Sequence, residues 1–179
     1  TETVNNILNE YIGELPNSFD YEGATYTPIS FRDHLGIDPK NYVSLSSFTH
    51  HPFGSSFVLE VPDNFSHGEF LNLPIDHLQR MVEAAVVNGY SVAWDADVSE
   101  VGFSFKDGMA ILPESSEMDK LWKEVVVEQK VTQQSRQVGF EDQTTTDDHL
   151  MHIVGMATDQ TEAKYFVIKN SWGTGNKYG

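Results

Sequence analysis

The end of the chain constrains the fold most. Residues 149–157 and Lys164–Lys169 read as strands, and Thr158-Asp159-Gln160-Thr161 between them is made of turn-forming residues. So short a connection closes an antiparallel hairpin. A turn centred between Asp159 and Gln160 sets its register: Gly155 faces Lys164, His152 faces Val167 and His149 faces Asn170. Directly opposed residues on one face have Cβ atoms about 5 Å apart. An imidazole and a carboxamide then sit side by side at the open end, provided no bulge shifts the ladder. His152 lies three residues from His149, an odd step, and so projects from the other face. It reads as a structural or partly buried histidine.

A carboxamide oxygen beside an imidazole has a chemical use. It accepts a hydrogen bond from one ring nitrogen, fixes the tautomer and leaves the other nitrogen facing a nucleophile. In Cys-His-Asn sites the His takes the thiol proton, and the thiolate attacks a carbonyl. This chain contains no cysteine. It can supply neither that thiol, nor a disulfide, nor a thiolate metal site.

Upstream, Val4, Ile7, Leu8, Tyr11 and Ile12 recur with helical spacing over 4–12, and Pro16 ends the pattern. A loop-rich stretch follows, with a short helix over 29–35 after Pro28. Residues 42–48 and 56–61 read as strands. The clearest helix is Ile75–Val87, with Pro74 at its start, a stripe of Leu78, Met81, Val82, Ala85 and Val86, and Gly89 placed for a left-handed stop. Residues 90–94 and 108–112 are further strand candidates. Residues 116–129 and 132–141 read as helices, the second with Thr132 as N-cap. Residues 144–148 form a polar linker into the hairpin.

Charge narrows the partners. Twenty-seven acidic residues against 11 basic ones give a formal charge of −16. Such a field repels phosphate backbones and anionic bilayers, so neither nucleic acid nor membrane is an expected partner. Thr1-Glu2-Thr3-Val4 offers no basic start and no apolar signal core, and no apolar run approaches membrane-spanning length.

Longer motifs carry a resemblance. Lys169-Asn170-Ser171-Trp172-Gly173 is similar to the segment around the catalytic Asn of papain-like cysteine peptidases. Asp148-His149, with Gly155 six residues on, is similar to the strand bearing their catalytic His. Asn72-Leu73-Pro74-Ile75-Asp76, Gly89-Tyr90-Ser91-Val92-Ala93-Trp94 with Asp97-Val98, and His50-His51-Pro52-Phe53 resemble the bleomycin hydrolase/aminopeptidase C branch. The resemblance implies an α+β papain-like fold: an accessory or linking segment over 1–65, and the antiparallel, barrel-like His/Asn-bearing domain over 66–179. It implies that His149 is general base and acid, that Asn170 orients it and that Trp172 shields their hydrogen bond. It implies peptide substrates, no cofactor, closed homo-oligomers in the parent enzyme, and a cytoplasmic compartment with a periplasmic one as the bacterial alternative. The family's Cys and oxyanion-hole Gln lie in an N-terminal half that has no counterpart here. The chain therefore reads as a fragment, inactive alone. The rival expectation is a non-catalytic binding or regulatory module that keeps the fold.

Other clusters weigh less. Asp147, Asp148 and His149, or His50 and His51, are metal-ligand types, but adjacent ligands on an extended chain diverge, so no metal site is expected. Asp95, Asp97 and Glu100 can line a cleft and bind a substrate amine, although surface solvation is the plainer role. Gly173-Thr174-Gly175 lacks the continuation of a phosphate loop.

Overall fold

A computed structural model describes residues 2–176. The chain falls into two compact units, Thr1–Val43 and Ser44–Gly179.

The first unit holds α1 (Glu2–Ile12), a hairpin of β1 (Phe19–Tyr21) and β2 (Ala24–Tyr26), and α2 (Pro28–His34). Glu22 and Gly23, both at positive φ, make the tight turn of the hairpin. Its three-residue strands sit in the stretch expected to be loop. Thr27 and Ser30 form a capping box at the start of α2, with Pro28 in the first turn. Phe31 then sets its ring edge-on to Phe19 and Tyr21, each at 5.1 Å, and to Tyr26 at 5.4 Å. The helical spacing of α1 holds, and its apolar residues are exposed.

The second unit is built on two three-stranded sheets. In the first, β5 (Glu69–Asn72) lies between β3 (Leu45–Ser46), parallel to it, and β4 (Ser56–Val58), antiparallel. The expected strands at 42–48 and 56–61 are thus present in shortened form. They pair with β5, which the sequence pattern did not reveal. Asn72 at the end of β5 is fully buried. Its carboxamide accepts from Phe48 N–H at 2.9 Å and donates to the carbonyls of Phe48 and His51, both at 2.8 Å.

α3 (Ile75–Val87) has the expected bounds, and Gly89 at φ +84° follows it in the left-handed region. The helix packs on the second sheet, in which β9 (His149–Thr158) runs between β6 (Val92–Ala96) and β10 (Lys164–Lys169), antiparallel to both. Met151 and Ile153 fill the core from one face of β9, while Leu150, His152 and Val154 on the other are exposed. His152 does project away from His149. It is exposed rather than partly buried, because the face it shares with Leu150 and Val154 is open.

Between these strands lie a small hairpin of β7 (Phe103–Ser104) with β8 (Met109–Ala110), a 3-10 turn at Ser115–Lys120, and α4 (Gln133–Glu141). The helix expected over 116–129 does not form beyond that turn. Its later residues fold back on 112–114, where Glu114 N–H donates to Val127 O and Gln129 N–H to Leu112 O. The β-branched run Val125-Val126-Val127 favours that extended pairing over a helix. α4 carries the expected Thr132 cap, reinforced by Ser135. Gly102 ends its segment against β8's continuation: a Cβ there would stand 1.7 Å from the Ile111 carbonyl oxygen. Gly102→Ala is expected to lower stability by about 3 kcal/mol through backbone overpacking. A thermal melt within a degree of wild type would contradict this.

Candidate functional site

The β9–β10 hairpin holds the site, but its ladder differs from the expected one. The reversal spans Asp159 to Ala163 rather than 158–161. Asp159 Oδ1 accepts from Thr161 N–H (2.7 Å), Thr161 Oγ1 (2.8 Å) and Ala163 N–H (2.9 Å), and Glu162 sits at φ +67°. The longer loop pairs Gly155 with Val167 instead of Lys164. Between Val167 and Ile168 the register shifts: Ile168 pairs with Ile153 and Lys169 with His152, leaving Val154 as the extra residue of a β-bulge.

That bulge decides which face Asn170 occupies. Continued without it, the ladder would place Asn170 opposite His152, on the open face. With it, the next partner of Asn170 is Met151, on the face of His149. The two residues are diagonal neighbours, a separation that long side chains bridge. His149 Nε2 and Asn170 Oδ1 are 2.8 Å apart. The expected contact therefore exists although direct opposition does not.

The protons in this pair follow from the neighbours. Asn170 Oδ1 also accepts from Ser171 N–H at 2.7 Å, so the amide presents its oxygen to the ring. An oxygen acceptor requires the proton of His149 on Nε2. Nδ1 then makes no hydrogen bond among the described residues. Trp172 lies beside the pair, 4.8 Å from the His149 ring and inclined by 32°. Phe103 and Phe105 meet the indole edge-on at 5.7 and 5.5 Å. Neither phenylalanine stood out in the sequence, where each is one apolar residue of a short hairpin.

An open pocket of about 430 Å³ adjoins His149, lined by Asp63, Phe65, Asp95, Asp148, His149 and Leu150. Burial, then the charges of Asp147 and Asp63, push the Asp95 carboxyl above its usual range. Burial also raises Asp147, with Asp63 and Asp148 adding to it. Carboxylates that crowd one another in this way favour a cation among them. Asp97 and Glu100 do not line this pocket. For Asp97, burial acts upward, but hydrogen bonds from Thr146 and Ser99 outweigh it and take the carboxyl down from 3.8 to about 2. A depressed folded-state value means stabilisation present above about 4, lost as the pH falls towards 2.

His50 and His51 do not diverge as expected. They lie in a turn, their rings 4.6 Å apart, and both reach Glu60: His50 Nε2 at 3.1 Å and His51 Nε2 at 2.7 Å. The ligand-type atoms of the three residues lie within 4.8 Å of one another. The hydrogen bonds argue against a metal there. Gln137, 2% exposed, accepts from Thr49 N–H through Oε1 (2.6 Å), while its Nε2 donates to His50 Nδ1 (3.0 Å) and Glu141 (2.9 Å). His50 Nδ1 is thus an acceptor, and its proton sits on Nε2, the atom that would have to ligate. For Glu60, burial acts upward, but the bonds from His51 and His50 hold its carboxyl below the usual range.

Comparison with known proteins gives a consistent result. The family described as Peptidase C1-like matches residues 6–179. Aminopeptidase G of Lactobacillus delbrueckii subsp. lactis is 26% identical over 176 aligned residues, covering 90% of this chain and 38% of the relative. The crystal structure of PepW from Lactobacillus rhamnosis superposes with a TM-score of 0.68 at 18% identity, covering 96% of this chain and 40% of that one. The likeness to PepW is one of fold, and that fold is α+β. The chain spans about two fifths of the length of these relatives. No described helix is long and apolar enough to cross a membrane.

Proposed function

The chain belongs to the Peptidase C1-like family, and on that premise we propose that it is the His- and Asn-bearing part of a cysteine-type aminopeptidase of the bleomycin hydrolase kind. The observation that carries this reading is the 2.8 Å contact between His149 Nε2 and Asn170 Oδ1, which leaves Nδ1 as an oriented base. The thiol comes from the N-terminal half of the same longer protein. His149 Nδ1 takes the thiol proton, and the thiolate attacks the peptide carbonyl. The imidazolium then returns the proton to the leaving amine, and water hydrolyses the thioester with His149 again as base. Asn170 holds the ring, and Trp172 keeps water from their hydrogen bond. No cofactor enters the cycle. The parent enzyme works as a closed homo-oligomer.

The finer assignment, release of N-terminal residues, draws support from the activity named for the Lactobacillus relative. It draws further support from the pocket beside His149, where Asp63, Asp95 and Asp148 suit a free substrate ammonium. This chain alone is expected to hydrolyse nothing. Supplied with the Cys-bearing half, it is expected to cleave peptides with a free amino terminus, to spare N-acetylated ones, and to lose activity on thiol alkylation. Cleavage by the chain alone, or turnover indifferent to alkylation, would contradict the proposal. The absence of cysteine favours the second reading, a non-catalytic module on the same fold, and a complemented protein without peptidase activity would bear that out.

A further inference from the structure

We infer that Asp97 is a positioning residue for His149 and acts through Thr146. The inference rests on the catalytic reading of His149. Ala96, the last residue of β6, pairs with His149, the first residue of β9. A strand's first residue is held on one side only, and the polar linker before it is free to swing unless something ties it. Thr145 is held from α4 and Glu100, its N–H by Gly139 O and its hydroxyl by Glu100, both at 3.0 Å, and Asp97 supplies a tie nearer His149. Its Oδ2 accepts from Thr146 N–H at 2.8 Å. The Thr146 hydroxyl lies 2.7 Å from Asp148 Oδ1 and 3.3 Å from Asp97 Oδ2, so its single proton favours Asp148. Asp148 N–H in turn donates to Ala96 O at 3.1 Å. Two of the three residues before His149 are thereby anchored to 96–97, and the carboxylate that flanks His149 in the pocket is aimed by the same hydroxyl.

Asn170 fixes the plane of the ring, but it cannot fix where the ring's backbone stands. A displacement of about 1 Å in a reacting group costs about 100-fold in rate. The other oxygen of Asp97 supplies an internal control. Among the described residues Oδ1 accepts from Ser99, through its N–H and its hydroxyl, both at 2.8 Å, and these two bonds are separate from the one to Thr146.

The test reads the His149 Nε2 proton by nitrogen-edited NMR on this chain, well below its melting temperature. Asp97→Asn is expected to speed exchange of that proton with solvent about tenfold or more, as the linker's opening becomes more frequent. Ser99→Ala is expected to leave it unchanged. In the longer protein Asp97→Asn lowers kcat while KM holds, and Ser99→Ala changes neither. An unchanged proton in Asp97→Asn, or equal effects of Asp97→Asn and Ser99→Ala, would overturn the inference. Should Asp97→Asn not fold, Thr146→Pro, which removes the N–H that Asp97 holds, carries the test: it is expected to raise the exchange rate, and an unchanged rate overturns the inference. Asn170→Ala separates the two levels. If it leaves the proton protected, the His149–Asn170 reading itself fails. If it exposes the proton while Asp97→Asn does not, only the role of Asp97 fails.

Discussion

His149→Ala in the longer protein is expected to lower kcat/KM by about 1,000-fold or more, the scale of a lost general acid–base group that also activates the nucleophile. That loss is about 4 kcal/mol of transition-state stabilisation. On the proposed reading the ring has two separable duties, one for each nitrogen: Nε2–H is held by Asn170 Oδ1, while Nδ1 is left for the thiol. Alanine removes both. Asn170→Ala removes only the hold and is expected to cost about 10- to 100-fold, because misorientation is partial. Its companion effect is local, since Ser171 N–H loses the same acceptor. Steady-state kinetics of the two variants check the order. An Asn170→Ala loss as large as that of His149→Ala would mean that the carboxamide does more than orient. Normal turnover with His149→Ala would remove the site altogether.

Asn72→Ala is expected to destabilise the second compact unit by about 3–4 kcal/mol, because a buried donor and buried acceptors lose their partner with no water to replace it. Asn72 is fully buried, and its carboxamide closes both backbone groups of Phe48 as well as the His51 carbonyl. The same loop carries Phe48, a core residue, and the two histidines that reach Glu60. Asn72→Asp is expected to be at least as harmful, since it replaces the donating amide with an acceptor facing two carbonyl oxygens. Urea denaturation checks both. An unfolding free energy within about 1 kcal/mol of wild type would show that the loop repairs its own hydrogen bonds.

The contact was more legible than its geometry. His149 and Asn170 are brought together by the hairpin pattern and Trp172 by the resemblance of its motif, and the two strands of the hairpin begin and end close to where side-chain pattern places them. Register was not legible. It depends on how far Asp159 reaches to cap its own loop, and on Val154 stepping out of the ladder, and neither residue looks unusual in sequence. One residue of slip changes which face a side chain occupies, so the expected pair survived only because the loop and the bulge together put Asn170 on the face of His149. β5 was missed because its four residues are too short a run to show a period and end in a buried Asn. The helix expected over 116–129 failed where residues 127–129 pair back on 112–114. Glu60 and Gln137 could not be read as partners of His50 and His51, since 10 and 87 residues separate the hydrogen-bonded pairs His50–Glu60 and His50–Gln137. The convergence of His50 and His51 came from a turn where an extended chain was expected.

The most direct test of the site measures how fast the thiol of the longer protein is alkylated by iodoacetamide as a function of pH. With His149 in place, a thiolate–imidazolium pair is expected to react well below pH 7, and His149→Ala is expected to move the reactive form to about pH 8.5, the value of an ordinary thiol. Identical profiles for wild type and His149→Ala would contradict the account, whatever the activity of either protein.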